Sequence, residues 1–187
     1  MTVIPTAIPG VMIIEPKLFP DNRGYFFEAY SQHDFDQSVA PGIRFVQDNE
    51  SRSRKGVVRG LHFQLPPNAQ AKLVRVVEGE IVDIALDVRA GSPTFGQHVA
   101  VSLTAENHRQ LFLPAGMAHG FAVVSDMATI LYKVDSPYAP ESDSGISVLD
   151  PALGIEWPFP ISEAILSQKD MARCNLASFV TPFHYEK

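Results

Sequence analysis

Apolar residues recur along this chain in short runs, many with a period near two, separated by proline and glycine. The runs 11–14, 25–30, 72–77, 81–88, 98–103, 110–113, 121–124 and 129–134 read as β-strands. Fifteen prolines and twelve glycines break the chain between them. Glu78-Gly79-Glu80 reads as a tight hairpin turn; 90–93 and 104–107 read as loops. Helical spacing is scarce. One short helix is expected over 31–39 with Ser31 as N-cap, and a second after Ser167, around 170–177. Closely spaced strands with turns between them predict an all-β sandwich or barrel. No repeat, low-complexity tract or linker interrupts the pattern, so a single domain over 1–187 is expected.

The period also aims side chains. In the 72–77 run, Lys72 shares a face with Val74 and Val76; in the 129–134 run, Tyr132 shares one with Ile130 and Val134. Both are candidates for groups pointing into a barrel. An inward lysine needs a partner or a ligand, because an unpaired buried ammonium is costly. The alternatives are a lysine that snorkels from a strand end and a tyrosine in the core or at the rim. Arg59 and His62 are three positions apart, so a regular strand sends them to opposite faces. A bulge at Gly60 would bring them to one pocket.

Composition narrows the class. Hydrophobic residues make up 45 % of the chain and charged residues 19 %, as in an ordinary globular protein. The formal net charge is −6, yet no acidic residue lies between Glu50 and Glu78, where Arg52, Arg54, Lys55, Arg59, Lys72 and Arg75 cluster. A basic island in an acidic chain suggests a local anion site and argues against nucleic-acid binding, which needs a broad basic face. Arg52, Arg54 and Lys55 are expected in a solvated loop. No apolar run approaches the roughly 20 residues that span a bilayer, and the N-terminus lacks a signal-peptide pattern. Cys174 is the only cysteine and is read as structural. A cytoplasmic protein without membrane contact is expected.

His62-Phe63-Gln64, followed by Pro114-Ala115-Gly116-Met117-Ala118-His119, resembles the paired motifs of cupins. Metal-binding cupins carry His-x-His in the first motif; here Gln64 stands in place of the second histidine. Two histidines and an amide make a poor transition-metal site, so no metal is expected and the histidines are free for acid–base work. His33, His98, His108 and His184 are assigned surface or structural places.

Taken together, the motifs are similar to those of the dTDP-4-dehydrorhamnose 3,5-epimerase family. The likeness runs through Asp21-Asn22-Arg23-Gly24-Tyr25-Phe26-Phe27-Glu28, Phe45-Val46-Gln47-Asp48-Asn49, Arg59-Gly60-Leu61-His62-Phe63-Gln64 and Lys72-Leu73-Val74-Arg75-Val76. It continues in Asp87-Val88-Arg89, Ser92-Pro93-Thr94-Phe95-Gly96, the Pro114 to Phe121 stretch, Tyr132-Lys133 and Leu166-Ser167-Gln168-Lys169-Asp170. The resemblance implies a cupin jelly roll, a homodimer, no cofactor, and epimerisation at C3 and C5 of dTDP-4-dehydro-6-deoxy-glucose. It implies His62 as base, Asp170 as the group that orients it, Lys72 as stabiliser of the enolate oxygen, and Tyr132 as the opposite-face acid. It implies Arg59 and Arg23 on the diphosphate with Lys169 assisting, Gln47 and Asn49 near nucleotide and sugar, Phe26 and Tyr138 on thymine, and His119 as a further hydrogen-bonding group. The segment from Arg23 to Glu28, with Glu28 itself counted among the substrate contacts, would reach into the neighbouring subunit's site. Two departures stand out: 145–150 lacks a tryptophan that members often carry near Val148, and the tail after Asp170 does not align.

Three other readings remain open from the sequence. An epimerase acting at C3 only or C5 only would use the same residues. A non-catalytic nucleotide-sugar-binding cupin would explain the basic island but not His62, Lys72 and Tyr132 together. A metallo-cupin oxygenase would need ligands beyond His62 and His119.

Overall fold

A computed structural model describes residues 1–186; Lys187, the end of the unaligned tail, lies outside the described residues. The strands are β1 (Thr2–Pro5), β2 (Met12–Glu15), β3 (Phe19–Asp21), β4 (Gly24–Phe26), β5 (Gln47–Arg54), β6 (Val58–Gln64) and β7 (Lys72–Glu78). They continue with β8 (Glu80–Asp87), β9 (His98–Thr104), β10 (Gln110–Leu113), β11 (Met117–Val123), β12 (Met127–Val134) and β13 (Asp143–Gly145). The helices are α1 (Gln32–Ser38) and α2 (Gln168–Met171), with a few single 3-10 turns. The all-β expectation holds.

A six-stranded sheet in the order β1-β2-β10-β7-β12-β5 faces a five-stranded sheet in the order β13-β6-β11-β8-β9, and β3 and β4 form a separate hairpin. All the strand pairings are antiparallel. Between the sheets, Val74, Val76, Leu111, Leu113 and Ile130 meet Ile81, Ala85, Leu103, Phe121 and Val123. The outer face of the five-stranded sheet, carrying Leu61, Phe63, Ile84 and Leu86, is covered by the C-terminal segment through Trp157, Phe179 and Phe183. The outer face of the six-stranded sheet puts Leu73 and Phe112 under Phe35 of α1. Strands covered on both sides read as continuous apolar runs rather than alternations, and β11 is buried throughout.

Helix α1 starts where expected: the Ser31 hydroxyl accepts from the Asp34 N–H. Seven residues are too few to hold a helix by propensity. Burial of Phe35 against Phe45 and Phe112 contributes about 1.5–3 kcal/mol and anchors it.

Several expectations need correction. The 25–30 run stops being strand after Phe26, because the Ala29 carbonyl bonds the Gln110 side chain at 2.8 Å instead of a neighbouring strand. The second helix occupies only Gln168–Met171. Beyond it Cys174 turns extended and bridges Ile146, with the Ser147 N–H donating to its carbonyl. The bridge uses only the backbone of Cys174; its side chain is exposed rather than packed in the core. The 121–124 run is the end of a longer strand that begins at Met117 and contains His119. Strand β5 was not anticipated, and Arg52 and Arg54 lie on it rather than in a loop. Arg52 is exposed but pairs with Glu78 at 3.1 Å.

The Asp87-Val88-Arg89 and Ser92-Pro93-Thr94 motifs close a loop below the sheets. The buried Asp87 carboxylate accepts from the backbone N–H, Nε and Nη2 of Arg89 and from the hydroxyls of Ser92 and Thr94, at 2.6–3.0 Å. Burial alone would push this carboxyl up; the hydrogen bonds from Arg89, Ser92 and Thr94 outweigh it and hold it below the usual carboxylate value. Asp87→Asn leaves Arg89 buried without a counter-charge and should cost about 3–5 kcal/mol in urea unfolding at pH 7. A carboxyl held low stabilises the fold above its unfolded value of about 3.9 and stops doing so as pH falls through the folded value. The gap between the two proteins should therefore narrow in acid.

Candidate active site

Strands β6 and β11 set the geometry. Their register pairs His62 with His119, then slips so that Arg59 faces Phe121 and Val58 faces Ala122. The slip occurs at Gly60, whose φ of 135° suits glycine alone. A Cβ on Gly60 would lie 2.5 Å from the Gly120 Cα, and one on Gly120 would lie 2.5 Å from the Arg59 carbonyl oxygen. Close approach of two glycines thus allows the bulge expected from the sequence. It brings Arg59 and His62 to one cleft of about 310 Å³, lined also by Asp143, Lys169, Asp170 and Arg173.

The His62 Nε2 lies 2.5 Å from Asp170 Oδ1. Asp170 sits in the first turn of α2, where the Ser167 hydroxyl caps its N–H at 3.1 Å. Burial works against its ionised form; the hydrogen bond and charge of His62, then Ser167 and Arg173, prevail and hold its carboxyl below the ordinary range. A buried carboxylate locked to one ring nitrogen fixes the orientation of the imidazole and leaves Nδ1 as the nitrogen able to take a proton.

A second cleft of about 280 Å³ shares His62 and Asp143 with the first and is lined by Gln47, Asn49, Gln64, Lys72, Tyr132 and Tyr138. Lys72 is 8 % exposed, so it points inward rather than snorkelling, and its Nζ donates to the His62 carbonyl at 3.3 Å. Burial pushes its ammonium down to about 8, against the opposing pull of Asp83 and Asp143. Burial raises the Tyr132 phenol above its usual value, with the Arg59 charge pulling the other way, so Tyr132 keeps its proton at neutral pH.

Gln64 is fully committed. Its amide nitrogen donates to the carbonyls of Asn68 at 2.7 Å and Pro137 at 3.1 Å, and its oxygen accepts from the Ala139 N–H at 2.8 Å. Gln47 accepts from the Tyr138 N–H at 3.1 Å and donates to Asn49 at 2.7 Å. Where metal-binding cupins carry a ligand, this chain carries a brace for the loop that presents Tyr138. Among the described residues no group of three or more His, Cys, Asp and Glu side chains is placed to hold a metal.

The profile of the family described as dTDP-4-dehydrorhamnose 3,5-epimerase matches residues 5–178. The chain belongs to that family. A Salmonella typhimurium relative named dTDP-4-dehydrorhamnose 3,5-epimerase is 54 % identical over 172 residues, 92 % of this chain and 93 % of the relative. The crystal structure of the Legionella pneumophila dTDP-6-deoxy-D-glucose-3,5-epimerase, in complex with dTDP-4-keto-L-rhamnose, matches with a TM-score of 0.94 at 46 % identity. The match covers 100 % of this chain and 99 % of that one. A 3'-monoepimerase from Streptomyces bikiniensis, in complex with dTDP-quinovose, matches with a TM-score of 0.88 at 36 % identity, covering 94 % and 88 % of the two chains. The cupin jelly roll expected from the sequence follows from these matches.

Of the residues that resemblance to the epimerase family singled out, His62, Asp170, Lys72, Tyr132, Arg59, Lys169, Gln47, Asn49 and Tyr138 gather around the joined clefts. Arg23, Phe26 and Glu28 do not. Arg23 is exposed and paired with Asp21 at 2.6 Å, Phe26 is 65 % exposed on the β3–β4 hairpin, and Glu28 lines a different groove beside α1. His119 is also not in the cleft lining: it is buried, with Nε2 at 2.7 Å from Asp83 Oδ1. Sequence reasoning missed Asp83, Asp143 and Arg173. Asp143 accepts from Lys169 at 2.5 Å and from Arg173, bridging the two clefts. Asp83 carried a readable signal, an acidic residue between Ile81 and Ala85 on an apolar face; Asp143 and Arg173 carried none. Gly60→Ala tests the bulge. Overpacking against Gly120 plus the strained φ should cost about 2–5 kcal/mol in urea unfolding.

Proposed function

We propose that this chain epimerises dTDP-4-dehydro-6-deoxy-D-glucose at C3 and C5 to dTDP-4-dehydro-L-rhamnose, in dTDP-L-rhamnose biosynthesis. The observation that carries the reading is the convergence of His62 with its Asp170 partner, Lys72 and Tyr132 on one cleft. The C4 ketone acidifies the hydrogen on each neighbouring carbon. His62 takes that proton, and the C–H electron pair moves to the C4 oxygen to give an enolate. The Lys72 ammonium faces that oxygen; such preorganised charge is often the largest catalytic contribution. The Tyr132 phenol returns a proton to the carbon from the opposite face, and exchange with water resets both residues. Arg59 and Lys169 hold the diphosphate, a task that suits guanidinium geometry, while Gln47, Asn49 and Tyr138 hold nucleotide and sugar. Neither a metal nor a cofactor has a part in this scheme.

The same reading takes 1–187 as one domain of a cytoplasmic homodimer with neither nucleic acid nor membrane as partner. The β3–β4 hairpin supports the dimer. Phe19, Tyr25 and Phe26 are 48 %, 58 % and 65 % exposed, an apolar surface that calls for cover. Arg23, Phe26 and Glu28 then serve the partner's site rather than their own. Among the described residues no helix is long and apolar enough to cross a membrane.

A second reading, epimerisation at C3 alone, draws on the structural match to the 3'-monoepimerase, which is weaker than the match to the 3,5-epimerase. An NMR time course in D2O with dTDP-4-dehydro-6-deoxy-glucose separates the two. Deuterium should enter at both C3 and C5; incorporation at one carbon only, even at long times, rules out double epimerisation. His62→Ala should lower turnover ~100- to 10,000-fold, whereas a pure binding protein has no turnover to lose. With Tyr132→Phe, exchange of substrate hydrogen with solvent should partly survive while inverted product falls. Equal loss of both would remove Tyr132 from the role of second acid.

A further inference from the structure

Lys72 and Asp83 both point into the space between the sheets. Lys72 continues the face of Val74 and Val76, and Asp83 lies between Ile81 and Ala85, all four in the inter-sheet core. Beside Lys72 in the six-stranded sheet are Leu113 and Val134, which offer no charge. The titratable groups around it come from β12 (Tyr132), β6 (His62), β8 (Asp83) and β13 (Asp143), with Asp135 just past β12 and His119 of β11 bound to Asp83.

Three nearby carboxylates are already engaged. Asp170 is bound to His62, Asp143 to Lys169 and Arg173, and Asp135 to the Ala71 N–H at 2.7 Å. Asp83 differs: it is fully buried, its Oδ1 is held by His119, and its Oδ2 has no hydrogen-bond partner. Lys72 is the complementary case, a buried ammonium with three donors and one long bond, to the His62 carbonyl. A buried charge left without compensation costs several kcal/mol, so two such groups of opposite sign in one interior compensate each other. Of the two carboxylates that oppose the effect of burial on Lys72, Asp83 acts more strongly than Asp143.

We propose that Asp83, held in place by His119, is the internal counter-ion of Lys72, a positioning residue that keeps the ammonium charged and inside the cleft when no substrate oxygen is bound. The substrate's enolate oxygen then takes over part of that task as negative charge develops on it. His119 acts on Lys72 through Asp83, which its Nε2 holds at 2.7 Å.

Two measurements on the full-length chain test this; the first rests on the epimerase reading and the second does not. In the pH profile of kcat/KM, the wild type should fall above about pH 8 as the Lys72 ammonium is lost. Asp83→Asn should bring that fall to lower pH by roughly one unit, so the loss is several-fold larger at pH 8 than at pH 6. His119→Gln keeps a hydrogen bond to Asp83 and the carboxylate charge, and should leave the fall where it is while lowering kcat/KM. A uniform loss in Asp83→Asn at every pH overturns the proposal. The second measurement is a urea-unfolding cycle with Lys72→Met, Asp83→Asn and the double variant. Removing both charges should destabilise less than the sum of the single losses; additivity overturns the proposal. If Asp83→Asn alone does not fold, the double variant still should, and a double variant that fails while Lys72→Met folds counts equally against it. A wild type inactive on the dTDP-sugar would sink the epimerase reading and leave this cycle to decide the charge pairing.

Discussion

The contact between Gly60 and Gly120 is the constraint from which the site follows. With no side chain on either, β6 can lie on β11 closely enough to absorb a bulge without losing the ladder. The bulge reverses the alternation once, so Arg59 and His62 end on the same side. Without it, one of the two would be turned from the cleft toward Leu61 and Phe63 and the packed outer layer. It also sets His62 opposite His119. The two histidines then each meet an aspartate from a different part of the chain, Asp170 from α2 and Asp83 from β8.

These two histidine–aspartate pairs sit in different surroundings, and that difference separates their tasks. The His62 side chain is 34 % exposed at the mouth of the cleft, while that of His119 is 9 % exposed beneath it. A partly open imidazole is accessible to ligand and water, as the proposed proton transfer requires, whereas the more closed one is engaged with Asp83. The chemistry is therefore concentrated where the inter-sheet core stops being apolar. The same inward faces that carry Val76, Ile130 and Ala85 deeper in carry Lys72, Tyr132 and Asp83 nearby.

Much of this was legible because period two is a rule about faces as well as elements. Sharing a face with Val74 and Val76 made Lys72 a candidate for the interior but left a snorkelling lysine open, and only its burial decides. The three-residue spacing of Arg59 and His62 marked Gly60 as the place for a bulge if the two were to share a pocket. Strand β5 was not legible, since Gln47 to Arg54 is polar almost throughout. It is an edge strand held by its ladder to β12, and edge strands tolerate charge. Pairing of His62 with Asp170 spans 108 positions and had no local signal; only likeness to a family suggested it. The tail after Asp170 failed for a related reason. Its residues are placed by a bridge to Ile146 and by the Asp143–Arg173 ion pair, both long-range contacts with no periodicity to read.

Gln64 shows how a single side chain can redirect an inherited frame. A histidine there would offer a ligand in the cleft but could not make three hydrogen bonds to a loop. The glutamine amide donates twice and accepts once, and all three bonds go to the backbone of Asn68, Pro137 and Ala139. The loop so fixed carries Tyr138 at the rim, where Gln47 holds it from the other side. Under the proposed mechanism, the charge stabilisation that a metal supplies in other cupins comes from a fixed cation of the chain itself, Lys72, and an ammonium is smaller in charge and more easily lost than a divalent ion. Its burial sharpens its action on a developing oxyanion and, by the same physics, loosens its hold on its own proton. A carboxylate nearby but out of hydrogen-bonding contact resolves the conflict: it favours the charged form without occupying the donors that the substrate oxygen needs.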